Sequence, residues 1–304
     1  MMKILLPVCV PLIWLLAFVS PAVGKTIVDD AGRTVEVPDK IQRVIATHDA
    51  VVRLPLYELG VPVVGVWMRT DPATGEHVVL GLRELYDTTA EEVDMTNIGG
   101  QDGTDLEVIK QLKPDLIVAT EGELELANVL GAIAPVFIQK TYTDDVFGIS
   151  AIQEMAERFD AMEKYEVLNE AYKEQVTKVE SIIPFDPSDK TYSILLIFDQ
   201  INGANGLSGA IQAITDLGFQ QPLWVKDFQE KGFIVPVSSE QIGLIKEDLV
   251  VIMNGYAEED RSENVARGKL DRIASGWDWF LQPEQGVLFV DSNQVITPTF
   301  AASA

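Results

Sequence analysis

The chain alternates between short apolar runs at strand spacing and longer stretches at helix spacing. Thr26–Val37 (TIVDDAGRTVEV) holds two alternating runs around Asp30-Ala31-Gly32, which predicts a hairpin. Arg43–Thr47 (RVIAT) reads as a buried strand, Val51–Leu59 as a helix closed by Gly60, and Val61–Trp67 (VPVVGVW) as a second strand. From Met68 to Gly103 the pattern dissolves into polar loop with short helical pieces around Val79–Tyr86. Ala127–Ile133 and Ala134–Ile138 supply another helix and strand.

One stretch occurs twice. Glu107–Val118 (EVIKQLKPDLIV) aligns with Glu240–Val251 (EQIGLIKEDLVV) at an offset of about 133 positions, with six of twelve residues identical. A solenoid repeats every 20–50 residues or so, which excludes that architecture. The unit reads as helix, two-residue turn and buried parallel strand, used once in each of two similar lobes. Thr104-x-x-Glu107 and Ser238-x-x-Gln241 are capping-box patterns that start the two helices. Pro114 closes the first, and Lys246-Glu247 is expected to close the second.

Between the two copies, Ile149 to Ile183 carries apolar residues at helical spacing. It predicts a helix to about Phe159, a bend capped by Asp160-x-x-Glu163, and a second helix of roughly 20 residues to about Ile182. At 1.5 Å per residue that helix spans about 30 Å, enough to join two lobes. Beyond it, Tyr192–Phe198 is a strand, Asp199–Gly206 a polar Gly-rich loop, Ser208–Leu217 a helix ended by Gly218, Val265–Ala274 a helix and Val287–Val290 a strand. The division that follows is a leader over 1–24, an N-terminal α/β lobe over 25–143, a helical segment over 144–183 and a C-terminal α/β lobe over 184–304. The fold class is α/β: two doubly wound lobes with mainly parallel central sheets, joined by one long α-helix.

Charge and address sharpen this. Asp and Glu number 47 against 23 Lys and Arg, for a formal net charge of −24. That sign excludes a nucleic-acid partner and repels anionic membrane surfaces. Lys3, the apolar Ile4–Val19 and the small-x-small Ala22-Val23-Gly24 make a cleavable secretion signal. Val8 precedes Cys9 where a lipoprotein signal has a small residue, so no lipid anchor is expected. The mature chain then has no cysteine, hence no disulfide, thiolate metal site or thiol nucleophile. A periplasmic location is the simplest consequence.

The opening TIVDDAGRTVEVP, the strand RVIAT, the pair ELGVPVVGV, DLEVIKQLKPDLIV, a connecting helix, VSSEQIG and a terminal VLFVDSNQV occur in an order that resembles the periplasmic substrate-binding proteins of iron–siderophore and cobalamin ABC importers. The resemblance covers nearly the whole mature chain and implies a monomer whose lobes hold a ferric siderophore between them. The complex would be handed to a permease dimer with its ATPase, with no catalysis and no covalent cofactor. It also implies that a glutamate on each lobe tip meets the permease; Glu107 and Glu240 occupy those positions. A helix usually follows the last strand in this family. Here the chain ends at Ala304, soon after Thr297-Pro298, so either it is cut short or its second lobe lacks a packing element.

In open α/β sheets ligands sit beyond the carboxyl ends of strands. That rule nominates His48, Trp67, Arg69, Gln101, Glu121, Gln200, Asn254 and Tyr256, with Arg83 and Trp224 as further candidates. Trp67, Trp224 and Tyr256 offer flat apolar contact. Arg69 and Arg83 could pair with an anionic, carboxylate-rich chelate. His48 could hydrogen-bond the ligand or fill an open iron position. Trp277 and Trp279 are expected to pack the second lobe.

Other chemistries fit less well. Two histidines, His48 and His77, without cysteine argue against a closed zinc site, so no resident metal is expected. Haem, cobalamin or metal-ion binding on the same fold are the alternatives. Gly206-Leu207-Ser208-Gly209 imitates a nucleophile elbow, but its second glycine comes one residue early. Gly203-x-x-Gly206-x-x-Gly209 lacks the dinucleotide spacing, which leaves a chelatase-like enzyme as the rival from another class.

Overall fold

The computed structural model describes residues 24–71, 74–100, 103–141, 148–204, 209–222, 234–256, 258–274, 277 and 284–304. Residues 1–23 of the expected leader, Gln101, Trp224, Trp279 and Gly206 lie outside them.

Strands β1 (Gly24–Val28) and β2 (Thr34–Pro38) form the expected antiparallel hairpin. Its turn is organised by buried Asp29, whose carboxylate accepts the N–H groups of Ala31 (3.1 Å) and Arg33 (2.8 Å). The same carboxylate accepts the Ile138 N–H at 3.2 Å, which ties the hairpin to the first lobe.

The first lobe contains β3 (Val44–Ala46), a wide helical turn Asp49–Arg53 leading into α1 (Leu54–Glu58), and β4 (Val63–Val66). Two-residue ladders β5 (Arg69–Thr70) with β6 (His77–Val78), and β8 (Gly99–Gly100) with β9 (Gly103–Thr104), fill the long loop. Helix α2 (Leu82–Tyr86) and strand β7 (Thr96–Asn97) also lie there. Then come α3 (Leu106–Leu112), β10 (Leu116–Thr120), α4 (Leu124–Leu130) and β11 (Val136–Gln139). The sheet is wholly parallel, in the order β11-β10-β3-β4-β7.

The second lobe contains β12 (Tyr192–Ile197), β13 (Ile201–Ala204), α7 (Gly209–Asp216), β14 (Ile234–Pro236), α8 (Ser239–Ile242), β15 (Leu249–Asn254), α9 (Glu263–Ile273) and β16 (Gly286–Val290). Its sheet order, β14-β13-β12-β15-β16, repeats that of the first lobe. In each lobe the first strand lies beside the fourth, and that fourth strand, β10 or β15, comes from the duplicated sequence.

Strand alternation divides the core into three layers. Val44, Ala46, Leu116 and Val118 of the first sheet, and Ile194, Leu196, Val251 and Met253 of the second, enter one continuous cluster. Ile45, Ile117 and Ala119 face the opposite side of the first sheet, and Leu195, Ile197, Val250 and Ile252 that of the second. The shared layer includes α5 (Ile149–Arg158) and the long α6 (Met162–Glu180). Helix α6 has 19 residues, or roughly 28 Å. It buries Tyr165 and Tyr172, two turns apart, against Phe300, with ring centroids at 5.7 and 6.0 Å.

Several expectations are corrected. Asp199–Gly206 is not all loop: β13 runs antiparallel to β12, which makes the second sheet mixed. Its polar composition hid it, yet buried Asn202 donates to the Leu196 carbonyl at 3.3 Å and the Gln200 carbonyl at 3.0 Å. Helix α8 is a single turn ended at Gly243, because Glu247 folds inward and its carboxylate accepts the Lys246 N–H and the Ser193 hydroxyl. Asp160 does not cap α6; it adopts a left-handed backbone (φ 58°) and pairs with Lys25. The second lobe does not lack packing after its last strand. Short helices α10 (Ser292–Val295) and α11 (Phe300–Ser303) follow, and Phe300 is buried against α6. Gly209 permits this seating, since a side chain there would strike the Ala302 backbone.

Candidate functional site

Four of the nominated side chains, His48, Trp67, Arg69 and Tyr256, meet near the points where strand order reverses, between β3 and β10 in one lobe and between β12 and β15 in the other. The wide turn after β3 sets the first group. Its Arg53 N–H donates to the His48 carbonyl at 3.0 Å, five residues back. His48, in extended backbone, caps the turn, its Nδ1 accepting the Val51 N–H at 3.5 Å. The same Nδ1 lies 3.3 Å from Asp49 Oδ1. Burial pushes the His48 pKa below its ordinary value and outweighs the opposing pull of Asp49.

Asp49 is fully buried. Arg69 grips it side-on, Nε to Oδ2 at 2.7 Å and Nη2 to Oδ1 at 3.0 Å. The N–H groups of Ala50 (2.8 Å) and Leu80 (3.2 Å) complete its shell. Burial alone would lower the Arg69 pKa, but Asp49 more than offsets this and holds the guanidinium charged. That guanidinium lies 5.1 Å from the Trp67 ring centroid and 4.9 Å from that of Tyr256. Tyr256 in turn meets Phe198 edge-on at 5.5 Å, so the ends of β12 and β15 supply the opposite wall. His48 and Trp67 stand 6.1 Å apart.

The other nominated residues fall elsewhere or hold the framework. Both Glu121 oxygens accept the Thr141 N–H, at 3.0 and 3.1 Å. Asn254 is buried, donating to the Ser262 carbonyl at 2.9 Å, and thus stiffens the loop behind Tyr256. Gln200 is exposed and bonds Asn202 at 3.1 Å in the β12–β13 turn. Arg83 is exposed on α2, where its charge holds the Glu92 carboxyl down, after the larger effect of the Thr89 hydrogen bonds. Trp277 is buried in the second lobe, its Nε1 donating to Asp271 at 2.7 Å.

The contacts that clamp the lobes together carry no signature in the sequence. Arg261 donates to Glu84 of the first lobe at 2.7 Å and to Asp291 of the second at 2.6 Å. Glu58 accepts the N–H groups of Phe300 and Ala301, both at 2.8 Å. These partners are 177, 30, 242 and 243 positions apart, and no local pattern links them. A separate groove of ≈ 630 Å³, bounded by Tyr57, Leu168, Tyr172 and Phe300, shares no residue with the His48–Arg69 group.

Glu107 and Glu240 are both exposed at the second residue of their helices. The first cap is Asp105, not Thr104: its carboxylate accepts the N–H groups of Glu107 and Val108, both at 3.0 Å. Ser238 and Gln241 form the capping box expected of the second copy. Neither glutamate therefore closes a box. Among the described residues no three His, Cys, Asp or Glu side chains converge to hold a metal ion, and no helix is long and apolar enough to cross a membrane.

Residues 44–275 match the family model described as "Periplasmic binding protein". No curated protein matches the chain. Among solved structures, SirA of Staphylococcus aureus complexed with staphyloferrin B is 20% identical with a TM-score of 0.69, over 92% of this chain and 94% of SirA. The FhuD protein from S. pseudintermedius is 16% identical with a TM-score of 0.67, over 91% of this chain and 93% of its own. A FhuD-fold component of a Fep/Fec-like ferrichrome ABC transporter from Bacillus subtilis is 19% identical with a TM-score of 0.64, over 90% and 94%. At these identities the likeness is one of fold.

Proposed function

The chain belongs to the periplasmic binding protein family, and we propose that it captures a ferric siderophore between its lobes and delivers it to a permease–ATPase. It is a binding protein, not an enzyme. The observation that carries the reading is the contact of Arg69 with Tyr256, which brings the switch points of both sheets to one cleft. Flat aromatic faces and a fixed guanidinium suit a bulky, rigid chelate. SirA with staphyloferrin B and the ferrichrome transporter component share this fold, which supports the chemical class of the ligand.

The shared core layer, the Glu58 contact and the Arg261 bridges link the lobes, so binding goes with slight closure. Glu107 and Glu240, equivalent in helix position and free of capping duty, are the candidate permease contacts. The protein acts in the periplasm as a monomer after removal of its leader.

Quenching of tryptophan fluorescence tests the reading, because Trp67 lies in the cleft. Titration with ferric siderophores, haem and corrinoids is expected to show saturable quenching by a ferric siderophore. Saturation by haem or a corrinoid instead would reassign the ligand, and steady turnover of a small substrate would refute a binding role.

A further inference from the structure

The charge inventory of the cleft narrows the ligand class, on the reading just given. Arg69 lies over both Trp67 and Tyr256, and buried Asp49 already holds it by two hydrogen bonds. Burial favours the neutral form of His48, whose Nδ1 lies 3.5 Å from the Val51 nitrogen and 3.3 Å from Asp49 Oδ1. Burial is the largest influence on that imidazole; Asp49, Glu123 and Glu121 oppose it and Arg69 adds to it. Glu123 accepts the hydroxyls of Thr47 (2.5 Å) and Thr120 (2.9 Å), neutral donors that leave its charge in place.

Two further described cations are ion-paired. Arg261 faces Glu84 and Asp291, and Lys269 bonds Glu258 at 2.6 Å. Among the described residues, an anionic chelate entering here would meet a guanidinium already held by Asp49 and would approach the Glu123 carboxylate. It would gain little from Arg69 unless Asp49 were displaced, and Asp49 cannot reach water.

We propose that the cleft selects a ferric chelate of zero or positive net charge, such as a trihydroxamate complex, and discriminates against polyanionic chelates. In that arrangement Asp49 is a specificity-determining residue: it holds the guanidinium as a stacked hydrogen-bond donor and cancels its charge. This replaces the anionic preference that the arginine positions suggest in the sequence.

The test is a fluorescence titration of the full chain with three probes. They are a cationic ferric trihydroxamate bearing a free amine, a neutral cyclic ferric trihydroxamate and trianionic ferric tris-catecholate. At least one trihydroxamate complex is expected to bind at least tenfold more tightly than the trianion, with the gap narrowing as salt rises. Asp49→Asn keeps the shape and leaves the guanidinium charge uncancelled, so the trianion should gain at least threefold relative to the trihydroxamates. Equal or tighter binding of the trianion by the unaltered chain overturns the charge assignment and leaves the siderophore reading intact. Saturation by none of the three overturns that reading and this inference with it. A folded Asp49→Asn chain with unchanged selectivity removes Asp49 from the explanation. If that variant does not fold, the comparison on the unaltered chain still decides.

Discussion

Arg69 of the first lobe and Tyr256 of the second meet across the cleft, with the guanidinium carbon 4.9 Å from the ring centroid. A cation–π contact of this kind contributes about 0.5–2 kcal/mol. Its geometry depends on Asp49, which holds Arg69 side-on. Removing Arg69 would leave a fully buried carboxylate with only backbone donors. Arg69→Ala is therefore expected to cost roughly 3–5 kcal/mol of stability, and Asp49→Asn, which leaves the more exposed partner, distinctly less. Urea denaturation of both variants checks the order. Equal costs would contradict the burial argument.

Glu58 is a strap between the lobes. Glu58→Ala leaves the Phe300 and Ala301 N–H groups without their carboxylate, at about 1–3 kcal/mol each. The total loss should be about 2–6 kcal/mol, with Glu58→Gln losing less because it keeps one oxygen acceptor. Thermal or urea unfolding measures this, and faster amide exchange in α11 would localise it.

His48 should make stability pH-dependent. Burial lowers its folded pKa below the unfolded value of 6.5, so the unfolded chain takes up the proton first as pH falls. The neutral imidazole's contribution is complete above the unfolded pKa and is lost as pH falls through that value toward the folded one. Glu58 runs the other way, since burial raises its pKa despite the Ala301 and Phe300 hydrogen bonds. Comparing the unaltered chain with His48→Asn cancels that background, and asparagine can still cap the turn. Between about pH 7.5 and 5.5 the unaltered chain should lose more stability than the variant. Parallel curves would assign the pH dependence elsewhere.

Charge reversal at the two helix starts separates binding from delivery. Glu107→Lys and Glu240→Lys together should leave ligand quenching unchanged and abolish uptake in cells that depend on this protein. Each substitution also costs about 0.3–1 kcal/mol at the positive end of its helix, too little to unfold the chain. Loss of ligand binding would undo the docking assignment.

The two-lobe architecture was legible because apolar runs with periods near two and 3.6 persist over whole elements, and because the duplicated stretch marks the fourth strand of each sheet. Failures came where local pattern and tertiary demand diverge. Strand β13, with Asn202 and Gly203 at its centre, reads as loop until its neighbours bury it. Helix α8 stops early because Glu247 finds partners inside the fold. Of the nominated site residues, His48, Trp67, Arg69 and Tyr256 form one connected group; Asn254 and Glu121 support the framework.

Periodicity and the internal repeat by themselves determined the fold class, the order of most elements and the strand ends at which a ligand would sit. These are properties of consecutive residues, and burial of one face makes them local. Only the tertiary structure decided which carboxylate each arginine faces, and hence that the cleft's guanidinium is already neutralised. Partners such as Arg69 with Asp49, or Arg261 with Glu84, lie 20 and 177 positions apart, and burial rather than sequence spacing sets the strength of each pair.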